Sequence, residues 1–249
     1  MNILASDFDG TLYFQETGYR ETDIEAILKF QEQGNKFGFC TGRPLMGIIH
    51  FLDERLTPDF YILNSGAYIL DGDRRCIYKN TIAHSVCEDL VASYTGCSIT
   101  VFTDEFIYYT VKPKQHDKNG ILKPYENLQD DIDILGISLH LDDDKEALDL
   151  AKKINGHLKL DAFVNMGSID CVAKGCSKDT GIKAIADFYG LSEPVACIGD
   201  NYNDLPMLEG SELSFTFNSS PDPVKKAASY LVDSLSECVD WLMENKRSK

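Results

Sequence analysis

The sequence predicts an α/β protein: a Rossmann-like three-layer core with a mainly parallel sheet, carrying an inserted α/β cap domain. Three observations lead there. Short β-type runs alternate with helical patterns near both ends of the chain, the rhythm of a parallel sheet covered by helices. A stretch of different character, residues 81–175, interrupts that rhythm, so residues 1–80 and 176–249 are read as one core and the segment between them as a domain of its own. Pairs of acidic residues fall directly after apolar runs, and open α/β sheets place their sites beyond the carboxyl ends of strands.

The first strand is expected over Ile3 to Phe8. Ile24, Ile27 and Leu28, spaced i, i+3, i+4, give a helix face entered through Thr22 and Asp23 and closed by Gly34. Lys36 to Cys40 is the next strand. Pro44 suits the first turn of a helix bearing Ile48, Ile49 and Leu52, and Phe60 to Leu63 returns to the sheet. Asp71-Gly72, between Tyr68-Ile69-Leu70 and Cys76-Ile77-Tyr78, signals a hairpin. Inside the insertion, Ser98 to Thr103 and Phe106 to Val111 resemble a hairpin, Ile134 to Leu141 and Leu158 to Val164 read as strands, and Lys145 to Ile154 reads as a helix. The polar segment Lys112 to Asp131 is expected to be a covering loop. The alternation then resumes: a helix from Lys178 to Tyr189, strands Val195 to Ile198 and Leu213 to Phe217, and a helix with Val224 and Ala227. Strand Tyr230 to Val232 and a closing helix with Val239 and Leu242 complete the sheet.

The 249 residues include 24 Lys and Arg against 40 Asp and Glu, a formal charge of −16. Nucleic acids and anionic membranes are bound through clustered Lys and Arg, so neither is an expected target. Hydrophobic residues at 43% are enough for a sizeable core. No run approaches the ~20 apolar residues of a membrane span. No signal peptide and no protein-partner signature are read, which predicts a cytoplasmic protein acting on small molecules. The eight cysteines form no C-x-x-C pair and mostly sit in apolar runs, as reduced buried thiols do. The histidines lack H-x-x-x-H and H-E-x-x-H spacings, which argues against zinc.

Asp7-Phe8-Asp9-Gly10-Thr11-Leu12 directly follows the first strand. Two carboxylates there repel unless a cation sits between them, and Gly10 lets the chain turn sharply beneath whatever binds. A second acidic run, Gly199-Asp200-Asn201-Tyr202-Asn203-Asp204, follows Val195 to Ile198. Oxygen ligands without His or Cys suit Mg²⁺, with Asp7 and Asp200 as side-chain ligands. The plain structural alternatives are a polar turn at residues 7–12 and a helix-capping turn before Leu205; capping accounts for Asp204 and leaves Asp200 unexplained. Cys40-Thr41-Gly42-Arg43 lies between a strand and a helix start, where Thr41 can donate to a phosphate oxygen or simply cap the helix, and Arg43 can gate or bind a leaving group. Lys178 opens a helix; taken alone it reads as a surface lysine.

The ordered set Asp7/Asp9, Thr41, Lys178, Asp200/Asp204 resembles the four motifs of the haloacid dehalogenase superfamily. Asp-x-Asp-Gly-Thr is the form of its phosphatases, and Gly-Asp-x-x-Asn-Asp-x-x-Met, Gly199 to Met207, resembles the Cof-like subfamily. Asn64-Ser65-Gly66-Ala67 resembles that group's Asn-Gly-Ala segment with one residue extra, and the long insertion fits its α/β cap. The usual Lys-Gly of the third motif is here Lys178-Asp179; Lys174-Gly175 is a rival, although Lys178 sits better at a helix start.

The resemblance implies a Mg²⁺-dependent phosphohydrolase that cleaves small phosphate monoesters, sugar phosphates or similar metabolites, through an aspartyl-phosphate on Asp7. It further implies Asp9 as acid and then base, with Thr41 and Lys178 on the phosphoryl oxygens. The metal is expected on Asp7, the Asp9 backbone carbonyl and Asp200, with Asp204 in the same group of ligands as an outer member. Thr11, Arg43, Asn64 and Asn203 are the candidates for substrate binding. Two alternatives remain open, a phosphomutase or phosphotransferase sharing the same intermediate and a metabolite-binding regulator without turnover. The cap sequence does not identify the ester.

Overall fold

The computed structural model describes residues 1–245 apart from 115, 116, 118, 142, 158, 166 and 193. Among the described residues, the larger sheet has eight strands. From edge to edge these are Tyr230–Val232, Ser214–Phe217, Ala196–Ile198, Ile3–Ser6, Lys36–Cys40, Phe60–Leu63, Tyr68–Asp71 and Cys76–Lys79. The first six run parallel and the last two add an antiparallel edge. Parallel strands covered on both faces need continuous apolar runs, and Ile3–Ser6, Phe60–Leu63 and Ser214–Phe217 are buried at every position.

Helices cover the two faces of this sheet. Glu21–Glu32 and Leu235–Glu244 pack Ile24, Ile27, Phe30, Val239 and Leu242 against Leu4, Phe37 and Phe39. On the opposite face Lys178–Phe188, Leu205–Gly210 and Asp222–Ala227 bring Ile182, Ile185, Met207 and Val224 onto Ile3, Ala5, Phe60 and Ile62. The entry residues of the first helix lie inside it, because Glu21 already begins the helix; Asp23 is buried and accepts the Ser236 amide at 2.8 Å, which ties the first helix to the last.

The helix expected to carry Ile48, Ile49 and Leu52 is a single turn, Leu45–Ile48, preceded by Pro44. The Arg43 guanidinium takes the Gly47 carbonyl at 2.8 Å, the acceptor that a continuing helix would offer to Phe51. The Phe51 amide turns to Ile48 instead, at 2.8 Å, and Leu52 falls outside the helix. The first strand ends at Ser6, two residues before Phe8.

The second sheet lies wholly within the inserted segment, in the order Leu122–Pro124, Ile107–Tyr109, Ser98–Phe102, Gly136–His140, Ser168–Ala173 and Leu160–Asn165. Helices His84–Ser93 and Asp144–His157 cover one of its faces through Cys87, Leu90, Ala147 and Ile154. Two elements here escaped the sequence reading, the helix His84–Ser93 and the strand Ser168–Ala173. The expected loop from Lys112 to Asp131 contains the edge strand Leu122–Pro124 and a turn at Tyr125–Asn127; its Gln115, His116 and Lys118 lie outside the described residues, as does Leu158 of the expected strand. All eight cysteines are free thiols, and among the described residues no helix is long and apolar enough to cross a membrane.

Phe30 is fully buried between its helix and the larger sheet. Phe30→Ala should therefore lower unfolding stability by about 3–5 kcal/mol in a urea titration, through lost transfer energy plus a cavity. A loss under ~1 kcal/mol would show that this helix does not anchor the core.

Candidate active site

The carboxyl ends of strands Ile3–Ser6, Lys36–Cys40, Phe60–Leu63 and Ala196–Ile198 bring the sequence motifs to one place. Asp7 continues the first strand and stays registered to its neighbour, its amide donating to the Ile198 carbonyl at 2.9 Å. Asp200 lies just beyond that neighbour's end. Gly10, at φ +79°, folds the chain beneath Asp200; a Cβ there would lie 2.6 Å from Asp200 Oδ2. Thr11 donates its hydroxyl to Asp200 Oδ1 at 2.9 Å. Its side chain thus orients an acid, where the sequence reading placed it on substrate.

Lys178 is the centre of the site. It begins its helix behind a capping box in which Ser177 and Thr180 exchange hydrogen bonds of 3.1 and 2.8 Å. Its ammonium is 1% exposed and bridges Asp7 Oδ1 at 2.6 Å and Asp204 Oδ1 at 2.5 Å. Burial opposes that charge, but Asp204 and Asp7 outweigh it and hold the amine above its ordinary pKa. Lys174, the rival, lies on the surface with Asp161 at 2.5 Å. Gly66 allows the loop after Phe60–Leu63 to press on this helix start, since a Cβ there would overlap the Ser177 carbonyl. That close approach is the role of the Asn-Ser-Gly-Ala segment, with Asn64 and Ser65 both at positive φ.

Asp204 does not cap the helix that follows it. Its Oδ2 reaches back to the amides of Asp200 and Asn201 at 2.9 and 3.0 Å, which fixes the loop bearing Asp200. Both of its oxygens are therefore engaged within the protein. Ligand oxygens of Asp7, Asp200 and Asp204 lie within 4.8 Å of one another. Three carboxylates around one ammonium leave a surplus of negative charge. Burial first, then Asp204, push the Asp200 carboxyl up to about 6; burial and Asp204 likewise raise Asp7, against the pull of Lys178. A hard divalent cation fits that donor set, with Asp7 Oδ2 and Asp200 as the oxygens that Lys178 and the loop amides do not take.

Asp9 is placed differently. Arg43 grips it with both ends of its guanidinium, Nε to Oδ2 and Nη2 to Oδ1, each at 2.6 Å, while stacking near Phe8 and Phe51. The Asp9 side chain is outside the cluster of metal-competent acids. Thr41, buried, accepts the Arg43 amide at 3.1 Å, and the neighbouring Cys40 thiol reaches the Lys178 carbonyl at 3.8 Å. Asn64 is 1% exposed with no partner on either side-chain atom, and the Asn203 Oδ1 is likewise buried without one. Asp170, from the inserted segment, approaches the same end of the sheet: a Cβ on Gly42 would lie 3.1 Å from its Oδ2. The period-two pattern Ser168-Ile169-Asp170-Cys171 was the available signal for it.

This constellation agrees with what the whole chain matches. The model of the haloacid dehalogenase-like hydrolases aligns with residues 4–238. The chain belongs to that family. An Escherichia coli relative, 5-amino-6-(5-phospho-D-ribitylamino)uracil phosphatase YbjI, is 21% identical over 243 residues, covering 92% of this chain and 90% of that protein. A longer Streptococcus pyogenes protein, provisionally named a bifunctional phosphatase/peptidyl-prolyl cis-trans isomerase, is 25% identical; the match spans 95% of this chain and 52% of that one. Among solved structures, a HAD/COF-like hydrolase from Plasmodium vivax superposes with a TM-score of 0.87 at 21% identity, covering 99% of this chain and 96% of that one. The haloacid dehalogenase fold is thus shared across the core and the inserted segment alike.

The raised Asp200 pKa gives a signed pH effect. An acid whose folded pKa lies above its unfolded value of 3.8 prefers to be protonated in the folded state, so its ionised form weighs against the metal-free fold increasingly from pH 4 to 6 and fully above. A divalent cation relieves this only where the acid is ionised. The rise in Tm produced by 10 mM MgCl₂ should therefore be larger at pH 7.5 than at pH 5; equal shifts would count against the acidic cluster as the binding site.

Proposed function

We propose that this haloacid dehalogenase-type phosphatase hydrolyses small phosphate monoesters through a covalent phosphoryl intermediate on Asp7, with Mg²⁺ held by Asp7 and Asp200. The observation that carries the reading is the buried Lys178 ammonium bridging Asp7 and Asp204, beside an Asp200 whose carboxyl stays raised by burial and Asp204 despite Lys178. Lys178 occupies one oxygen of Asp7 and so aims the other outward. A bound cation would supply charge neutralisation between the anionic nucleophile and the phosphate.

Asp7 attacks phosphorus, the Asp7–phosphorus bond forming as the ester oxygen departs. Asp9 delivers a proton to that oxygen, then removes one from the water that cleaves the intermediate and restores the Asp7 carboxylate. For this Asp9 must leave the Arg43 fork, which occupies both of its oxygens. Thr41 and Lys178 stabilise the equatorial oxygens, Thr11 and Asp204 hold the Asp200 loop, and Asn64 offers its unpartnered side-chain amide and Asn203 its unpartnered Oδ1 to the substrate. The segment 81–175 acts as a cap that admits small soluble esters and excludes bulk water.

Asp7→Asn should lower phosphate release from a panel of sugar phosphates and p-nitrophenyl phosphate on the order of 10³-fold or more, with the circular dichroism spectrum unchanged. A well-folded Asp7→Asn that keeps a tenth of wild-type turnover would sink the nucleophile assignment. EDTA should abolish wild-type activity and added Mg²⁺ should restore it, because the donor set is all oxygen; undiminished turnover in chelator would rule out the cation.

A further inference from the structure

The chain leaves the core after strand Cys76–Lys79 and returns before Lys178, so two short crossings carry the whole inserted segment. The crossings lie side by side. Asn80 donates its amide to the Ala67 carbonyl at 2.9 Å and its side-chain Nδ2 to the Cys176 thiol at 3.4 Å. Ile82 already belongs to the segment, its amide on the Ile134 carbonyl at 2.8 Å. Any turning of the segment on the core is therefore confined to the residues between Asn80 and Ile82 and to the crossing at Cys176. Lys79 stands directly before that pivot. It pairs with Tyr68, and Tyr68 pairs with Leu63, so Lys79 sits on the carboxyl-end edge of the larger sheet, the edge that carries the site. Its ammonium reaches over the pivot to Asp133 Oδ2 at 2.6 Å and Asp104 Oδ2 at 3.7 Å, from two different loops of the segment. Among the described residues these are the only ion pairs that join the core to the inserted segment. The Asp133 hydrogen bond above all holds the Lys79 amine above its ordinary pKa, and burial pushes the Asp104 carboxyl up. Both sides of the contact lead to the site. Three residues after Asp133 comes Gly136, where a Cβ would lie 3.0 Å from Asn64 Nδ2; Tyr68 follows the loop Asn64–Ala67, whose Gly66 presses on the helix start of Lys178.

Resting on the phosphatase reading above, we propose that Lys79, with Asp133 and Asp104, is an ionic clasp across the pivot that holds the inserted segment against the loop Asn64–Ala67, and is thereby a positioning residue for the reaction. Asp7, Thr41, Asn64 and Lys178 are at most 4% exposed in this arrangement, so an ester enters with the segment drawn back and reacts with it in place. The clasp itself is open to water, with the Lys79 side chain 31% and the Asp133 side chain 50% exposed. A pair so exposed adds little to the stability of a fold, yet the same free energy applied to two arrangements of the segment shifts their ratio about three- to fivefold. Two acids serve one ammonium, so the loss of either leaves it a partner, whereas the loss of Lys79 leaves Asp104 and Asp133 to repel each other across the same gap.

The test measures kcat and KM for p-nitrophenyl phosphate with Mg²⁺, and hydrogen–deuterium exchange of the free protein, in the wild type, Lys79→Met, Lys79→Arg, Asp133→Asn and the double variant Lys79→Met/Asp133→Asn. Lys79→Met should raise KM about three- to fivefold with kcat changed less than about twofold, and should speed exchange of residues 64–67 and 134–136 by a similar factor while strand Lys36–Cys40 exchanges as in the wild type. Lys79→Arg should restore both readouts. Asp133→Asn should move them the same way by less, because Asp104 remains, and in the double variant it should add no further loss to Lys79→Met; alone it serves if Lys79→Met folds poorly. An unchanged KM, unchanged exchange at residues 64–67, acceleration shared by Lys36–Cys40, or additive losses in the double variant would overturn the clasp while leaving the phosphatase reading intact. A wild type that releases phosphate from neither p-nitrophenyl phosphate nor a panel of sugar phosphates would overturn that reading and the part of Lys79 in the reaction, and the exchange measurements would still decide whether the clasp holds the segment.

Discussion

A single ammonium group, Lys178 Nζ, holds the site together. Taking a lysine out of water costs several kcal/mol, and the cost is recovered only where opposite charges meet it at hydrogen-bonding distance. Asp7 and Asp204 do so, one from the end of the first strand and one from the loop after Ala196–Ile198. Removing the amine would leave three clustered acids with nothing to balance them. The rest follows from that bridge: Asp7 has one oxygen fixed and one free, and Asp204, anchored by Lys178 on one side, holds the Asp200 amide on the other. Charge, position and loop geometry are thus set by one contact network.

That network is buried at its centre and partly exposed at its rim. Asp7, Lys178 and Asp204 are buried, whereas Asp9 and Arg43 form a partly exposed pair. Arg43 also holds the Gly47 carbonyl and cuts short the following helix, so the arginine shapes the backbone of the rim as well as occupying the acid. A residue read from the sequence as a gate is a structural brace as well, and its two tasks are coupled through one guanidinium.

The motifs were legible because their chemistry is local in the sequence: each acid pair follows a strand, and strand ends are where sites form. Lys178 was legible only through its company, since nothing in Lys-Asp at a helix start distinguishes a buried lysine from a surface one. The six parallel strands could be read from apolar runs. Strand Ser168–Ala173 forms no such run, because one of its faces is polar; its only signal was the alternation of Ser168 and Asp170 with Ile169 and Cys171. The short helix after Pro44 failed for a related reason: the competitor for the Gly47 carbonyl is a side chain, and propensity carries no information about it. Asp204 was expected in the metal-ligand group as an outer member, with capping of the helix ahead as the plain alternative; its carboxylate instead turns to the loop behind, because composition fixes the appetite of such a group for amides and the fold decides which amides it meets.

The Lys178 to Asp7 contact joins positions 171 residues apart, with the whole second sheet between them. Strand Ile3–Ser6 likewise pairs on one side with Lys36–Cys40, made early, and on the other with Ala196–Ile198, made late. During synthesis Asp7 therefore emerges long before its counter-ion Lys178, on a half-sheet whose first strand has an open edge. The inserted sheet pairs only with itself and can fold in that interval, shortening the effective distance between the two halves of the core. The nascent chain accordingly carries no assembled centre until the residues beyond 204 leave the ribosome: an enzyme built in this order is silent while it is being made.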